Sequence, residues 1–165
     1  MRAGGPGAPD PPSSARPSRS EAETFALGEA LGATLRGGEI VSLEGELGAG
    51  KTVFARGIAA ALGVDPREVG SPTFIIVDRH AGRLTLYHAD LYRLDREEEV
   101  LDLGLDELAA GESVLVVEWG ERLPAELHAA AIVVRISDPD GDARAITVGR
   151  AGEVPGGPSG QLSTR

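Results

Sequence analysis

Ile40-Val41-Ser42-Leu43-Glu44-Gly45-Glu46-Leu47-Gly48-Ala49-Gly50-Lys51-Thr52-Val53-Phe54 is the stretch that decides the fold. Ile40 to Leu43 has the apolar density of a buried strand. Val53 to Leu62 places Phe54, Ile58 and Leu62 at i, i+4 and i+8, with Gly63 as a C-cap, which predicts a helix. Between them, Gly45 to Thr52 follows G-x-x-x-x-G-K-[ST]. Strand, glycine-rich loop and helix in that order make a P-loop. Its glycines let backbone N–H groups close around phosphates, Lys51 reaches the β/γ-phosphates as a compact charge, and Thr52 offers its hydroxyl to Mg²⁺. Gly45, Leu47, Gly48, Ala49, Gly50, Lys51 and Thr52 are therefore the candidate nucleotide-binding positions. Lys51 is also the only lysine among 16 basic residues, the rest being arginine. The stretch implies a nucleoside triphosphate ligand.

Composition narrows the setting. A chain of 165 residues is one domain by length, expected over 21–149. Met1 to Ser20 is Pro, Gly, Ser and Arg with almost no large apolar side chain, and Arg150 to Arg165 repeats that character. Both are expected to be disordered tails. The first has no apolar run of a signal peptide, and its prolines forbid the amphipathic helix of a transit peptide. No stretch approaches the roughly 18 apolar residues of a membrane span. With no cysteine, disulfide and thiolate chemistry are excluded, and a cytoplasmic protein with no membrane partner is the natural reading. A net charge of −10 argues against wrapping tRNA or DNA unaided, because neutralising phosphates needs a basic face. Aromatic residues, at 4%, leave few platforms for stacking bases.

Elsewhere the chain alternates helix and strand signals. Ser20 and Glu23 form a capping-box pattern, and Leu27, Leu31 and Leu35 continue at helical spacing up to Gly37-Gly38. Phe74 to Val77 and Leu84 to His88 flank Ala81-Gly82 as a predicted hairpin, after the breakers Pro66 and Pro72. Asp95 to Leu108 reads as an acidic helix interrupted near Gly104. Val114 to Val117 is the clearest core strand. Ile132 to Ile136 and Ala145 to Val148 flank the turn signal Asp138-Pro139-Asp140-Gly141-Asp142. The pattern predicts an α/β domain flanked by helices, its mixed sheet parallel at the centre and antiparallel at an edge.

A P-loop enzyme needs a second acidic position near Mg²⁺ and a group that orients water. Val114 to Val117 delivers Glu118 to the C-terminal edge of a strand, as a Walker B strand does, which favours a metal role over a solvated glutamate. For Trp119, stacking near the nucleotide and half-burial in the core both stand. His88 and Asp90 lie two apart on one face of an extended segment, where Asp90 is either an acid near the attacking water or a structural aspartate. The 3 histidines show no metal-ligand spacing, so zinc is not expected. Ser71-Pro72-Thr73 reads as a plain turn or as a switch that senses the γ-phosphate. Arg56 and Arg93 stand as phosphate contacts or surface arginines.

Gly45 to Thr52, Ser71-Pro72-Thr73, His88-Ala89-Asp90-Leu91-Tyr92-Arg93-Leu94 and Val117-Glu118-Trp119 occur in the order and spacing of the TsaE family, which the chain resembles from about Glu21 to Ser137. The resemblance implies a P-loop nucleotide-binding fold and a small ATPase using ATP and Mg²⁺. It also implies work with the TsaB–TsaD transferase pair, which puts threonylcarbamoyl on the adenosine next to the anticodon of tRNAs reading codons that begin with A. In that family the ATPase allows the transferase multiple turnovers, and it meets tRNA only through the complex. The protein alone is expected to be a slow ATPase and a monomer. By motif position Gly48 to Thr52 would hold the phosphates, and Thr52 and Glu118 would ligate Mg²⁺. Lys51, Asp90 and Glu118 would serve hydrolysis, with Trp119 and the segment from Glu21 to Thr24 near the base. Two positions depart from the pattern: Val53 replaces a second threonine, and Glu46 replaces an aspartate. A GTPase is closed off, since an Asn-Lys-x-Asp guanine reader needs an asparagine and the chain has none. A small-molecule kinase and a nucleotide-gated binding module remain as alternatives.

Overall fold

Side-chain alternation along one strand sorts the core into two halves. In β5 (Ser113–Glu118), Val114 and Val116 pack on one side of the sheet while Leu115 and Val117 pack on the other. The computed structural model, which describes residues 15–70, 76–137 and 143–154, is a three-layer α/β domain of P-loop type. Its seven-stranded sheet runs in the order β1 (Arg16–Ser18), β7 (Arg144–Arg150), β6 (Ile132–Ser137), β2 (Ile40–Gly45), β5, β4 (Thr85–Asp90) and β3 (Val77–His80). The four central strands, from β6 to β4, are parallel, whereas β3, β7 and β1 pair antiparallel. The predicted mixed sheet, parallel at the centre and antiparallel at an edge, is present, and the opposite edge is antiparallel as well.

The helices α1 (Glu21–Gly32) and α2 (Lys51–Ala61) cover one face. Phe54 and Ile58 of α2, and Leu62 just beyond it, are fully buried there, each contributing about 1.5–3 kcal/mol of apolar burial. The two helices meet through glycine. A Cβ at Gly28 would overlap the Phe54 carbonyl oxygen, and one at Gly57 that of Phe25. The opposite face is covered by α3 (Glu97–Leu101), a turn at Leu105–Glu107, and α4 (Ala125–Ala130). Gly104, at φ 64°, separates the first two, as the sequence predicts. Among the described residues no helix is long and apolar enough to cross a membrane.

Half of the expected capping box forms: Ser20 Oγ accepts from the Glu23 N–H at 3.1 Å, while the Glu23 carboxylate reaches one residue further, to the Arg19 N–H at 2.7 Å. The helix does not run to Gly37-Gly38, however; it ends at Gly32. Gly32 presses on Ile58 and Ala61 of α2, and the Thr34 hydroxyl takes the Leu31 carbonyl, so the chain tightens into a turn. One side chain closes both helix ends. The guanidinium of Arg83 donates to the Gly32, Leu35 and Ala61 carbonyls, placing a cation at the C-termini of α1 and α2.

Two boundaries shift outward from 21–149. Arg16–Ser18, expected in the N-terminal tail, forms β1, and Ser18 is buried with its hydroxyl 2.7 Å from that of Thr24. At the other end β7 runs through Arg150, and Val154 is buried with its carbonyl accepting from Arg135. The expected hairpin forms between β3 and β4, later in sequence than predicted. Residues 74 and 75, the turn signal at 138–142 and Ser71-Pro72-Thr73 lie outside the described residues.

Candidate active site

β2 ends at Gly45, α2 begins at Lys51, and the loop between them crosses the C-terminal edge of the sheet. Gly50 takes φ 114° at the N-cap position, which a side chain rarely adopts, and it offers no side-chain cap. The first-turn N–H groups of the 11-residue helix α2 are left for a ligand, at the positive end of its dipole. Gly45 is required for a different reason, since a Cβ there would run into the Ile136 carbonyl of β6.

Lys51 is buried in a cage made by this loop. Its Nζ donates to the Gly45 and Glu46 carbonyls at 2.6 and 2.8 Å and lies 4.1 Å from the centroid of the Trp119 ring. Burial pushes the ammonium below the usual lysine range, and the charges of Glu121, Glu118, Asp90 and Glu46 act against that.

The register of the parallel strands sets the acidic groups. Leu43 of β2 pairs with Glu118 of β5, which pairs with Asp90 of β4, so both carboxyls stand at the sheet edge beside the loop. Glu118 is 4% exposed, too buried to act as a solvated surface glutamate. Its Oε1 accepts from the Thr52 hydroxyl at 2.7 Å, and its Oε2 lies 2.6 Å from Nε2 of buried His88, whose ring N–H donates. Burial pushes the Glu118 carboxyl up, but the bond and charge of His88, the Thr52 hydroxyl and the Lys51 ammonium outweigh it and hold the group below the usual carboxylate range. Asp90 is exposed, its Oδ1 accepting from the Tyr92 N–H at 3.0 Å in an Asx turn.

Trp119 has φ 60°, the one non-glycine residue with positive φ among those described. That turn brings its ring over Lys51 and 5.1 Å from the Tyr92 ring, with the Arg122 guanidinium 5.3 Å away. Arg122 Nη1 also donates to the Leu91, Tyr92 and Leu94 carbonyls, fixing the segment after Asp90. Trp119 therefore touches both the core and the cleft.

The cleft has a volume of about 320 Å³ and is lined by Glu21, Thr24, Leu47, Gly48, Gly50, Lys51, Thr52, Val53, Asp90, Tyr92, Glu118, Trp119 and Arg144. Ten of the sequence-predicted positions meet there. Gly45 and Ala49 stand behind it, the first holding Lys51 and the second buried in the core. Arg56 does not line the cleft, and its Nε donates to the Val69 carbonyl. Sequence reasoning missed Tyr92, Arg144 and the support His88 gives Glu118. Arg144 reaches from β7 to the Gly48 carbonyl, 96 residues away in sequence, and no local pattern marks such a contact. The tyrosine did carry a signal, as an aromatic residue two positions from Asp90.

The residues present suit the ligands that a P-loop takes. A threonine hydroxyl beside an ionised carboxylate is a hard oxygen pair, the donor type Mg²⁺ prefers. The cleft brings a cation, free helix N–H groups and the Trp119 and Tyr92 rings together, groups that suit a polyphosphate and a base.

Comparison with known proteins agrees with this geometry. The family model described as "Threonylcarbamoyl adenosine biosynthesis protein TsaE" matches residues 18–146. A tRNA threonylcarbamoyladenosine biosynthesis protein TsaE of Treponema pallidum is 43% identical over 119 residues, covering 72% of this chain and 87% of its own. The TsaE of Bacillus subtilis is 42% identical over 126 residues, covering 76% and 78%. The crystal structure of Bacillus subtilis YdiB superposes with a TM-score of 0.65 at 33% identity, over 84% of this chain and 85% of that one. The chain belongs to the TsaE family of tRNA threonylcarbamoyladenosine biosynthesis proteins.

Proposed function

We propose that this protein is a Mg²⁺-dependent ATPase that works in the cytoplasm with the TsaB–TsaD pair, letting that pair place threonylcarbamoyl on tRNA repeatedly. The observation that carries the reading is the convergence of Lys51, Thr52, Asp90 and Glu118, from a helix start and two different strands, on one cleft.

In this mechanism the N–H groups of Gly48 to Thr52 hold the phosphates, and Lys51 leaves the Gly45 and Glu46 carbonyls to meet the β/γ oxygens. Thr52 and Glu118 hold Mg²⁺, which when bound neutralises charge on the phosphates. His88 keeps the Glu118 carboxylate turned toward Thr52. Asp90, exposed at the strand end next to Glu118, orients the attacking water and accepts its proton. Trp119 and Tyr92 pack on the base beside Glu21 and Thr24. Lys51 is tied up in its cage at rest, so the protein alone turns ATP over slowly. A net charge of −10 opposes direct tRNA binding, and tRNA is met through the partner pair.

The deciding experiment counts modified tRNA per TsaB–TsaD complex over time, with and without this chain and with Lys51→Ala. Multiple turnovers are expected only with the intact chain. Equal turnover in its absence would sink the assignment and favour a small-molecule kinase.

A further inference from the structure

Arg122 does not line the cleft, yet it touches both chain segments that supply the aromatic rings there. Beyond β4, buried Leu91 and Leu94 anchor the chain in the core, and the Leu94 N–H closes on the Leu91 carbonyl at 3.0 Å. The turn between them leaves Tyr92 47% exposed, a large ring kept out of the core and set at the cleft. The same turn aims the Leu91, Tyr92 and Leu94 carbonyls at one atom, Arg122 Nη1, at 3.0, 2.6 and 2.9 Å. Nη1 has two N–H groups for these three oxygens, so the charge of the guanidinium, beyond its hydrogen bonds, suits it to this place. Beyond β5, Arg122 holds the second segment. Its backbone N–H donates to the Trp119 carbonyl at 3.0 Å, closing the turn in which Trp119 takes φ 60°. Its guanidinium lies 5.3 Å from the Trp119 ring and 6.0 Å from the Tyr92 ring. A bulky side chain at positive φ costs free energy that the surrounding contacts must offset.

We infer that Arg122 is a positioning residue for the base of the nucleotide: it ties the Tyr92 turn to the Trp119 turn, so that the two rings keep their 5.1 Å spacing as a preformed platform. The inference rests on reading the cleft as a nucleotide site. At rest the Trp119 ring has two cations against it, Lys51 Nζ at 4.1 Å and the Arg122 guanidinium. When Lys51 swings to the phosphates, Arg122 is the one that stays. The platform therefore remains ordered at the moment a base stacks on it, and binding does not have to immobilise two large side chains. Asp90 shares the restraint, since its Oδ1 accepts the Tyr92 N–H within the turn that Arg122 holds. Among the described residues the hydrogen bonds of Arg122 go to Leu91, Tyr92, Leu94 and Trp119, and none goes to the phosphate loop. Its contribution thus falls on the base half of the ligand and not on the phosphate half.

The test is calorimetric titration of the full chain, with Mg²⁺ present, by a non-hydrolysable ATP analogue and by inorganic tripolyphosphate, which carries the charges without the base. Arg122→Gln should weaken binding of the ATP analogue about tenfold, the order of one base–aromatic stack, while the Kd for tripolyphosphate stays within about twofold of wild type. Arg122→Lys keeps a cation for the carbonyls but loses the planar fork against the rings. It should lose about threefold on the ATP analogue alone, and this comparison decides if the glutamine variant does not fold. An equal loss of both ligands in the Arg122 variants, or no loss of either, overturns the inference while leaving the nucleotide site intact. Tripolyphosphate bound by wild type as tightly as the ATP analogue overturns the platform and the inference with it. No binding of either ligand by wild type overturns the nucleotide reading as well.

Discussion

Replacing Glu121 with glutamine should stabilise the fold in mild alkali and leave it unchanged in mild acid. Glu121 is half-buried, and its Oε1 has no hydrogen-bond partner among the described residues. In the fold the group titrates at about 7, against 4.5 for a free glutamate. Its folded-state pKa is raised, so the unfolded chain gives up this proton first. Its contribution is complete below the unfolded value and is lost as pH rises through the folded one. At about 1.4 kcal/mol per pH unit, ionised Glu121 would cost the fold on the order of 3 kcal/mol at pH 8.5. The side chain is partly exposed, and solvent screening reduces this to about 2 kcal/mol. Glutamine keeps the shape and removes the titration. Urea unfolding followed by the fluorescence of Trp119 should therefore show a gain of about 2 kcal/mol for Glu121→Gln at pH 8.5 and a change near zero at pH 4, below the unfolded value. An equal effect at both pH values would refute the placement of a protonated carboxyl behind the P-loop.

Glu118→Gln should lower ATP hydrolysis by about 10²-fold or more while changing ADP affinity little, because the ionised carboxylate acts on the metal and γ-phosphate rather than on the diphosphate; steady-state hydrolysis beside ADP titration checks this, and wild-type turnover would remove Glu118 from the mechanism. Ending the chain after Ala151 should cost about 1–3 kcal/mol in urea unfolding, since it removes buried Val154 and the carbonyl that Arg135 uses.

The legible parts of the fold are those whose cause is local. The strand, glycine loop and helix around Lys51 are written in 23 consecutive positions from Ile40 to Leu62, and Glu118 is marked by the apolar run that delivers it. Structure that depends on distant partners left little trace. β1 is three residues, Arg-Pro-Ser, with no apolar alternation, and it exists because β7 offers an edge for it to pair with. Val154 looks like tail sequence until Arg135 and the sheet surround it. The end of α1 is not legible locally, because two glycines downstream are the stronger stop signal in the sequence. The actual stop comes from contact with α2 and from Arg83, 51 residues beyond Gly32. His88 was visible as a neighbour of Asp90, but its partner Glu118 lies 30 residues on. Only the parallel register of β4 and β5 brings them together.

One short segment presents two carboxyls pushed in opposite directions from the ordinary glutamate value. Glu118, buried, and Glu121, half-buried, stand three residues apart, and desolvation pushes both up. Glu118 ends the strand facing His88 and Thr52, and two hydrogen bonds reverse the push. Glu121, beyond the left-handed turn at Trp119, is pushed further up by the charge of Glu44, which has already taken Ser42, His128 and Arg135. Lys51 lies within the field of both. A compact ammonium on a flexible stem can fit between two carbonyls over an indole ring and still swing out to a phosphate. A guanidinium, with its planar fork, suits a fixed bidentate partner instead. In a chain whose other basic residues are all arginine, the position that must move between two sets of acceptors is the one that carries lysine.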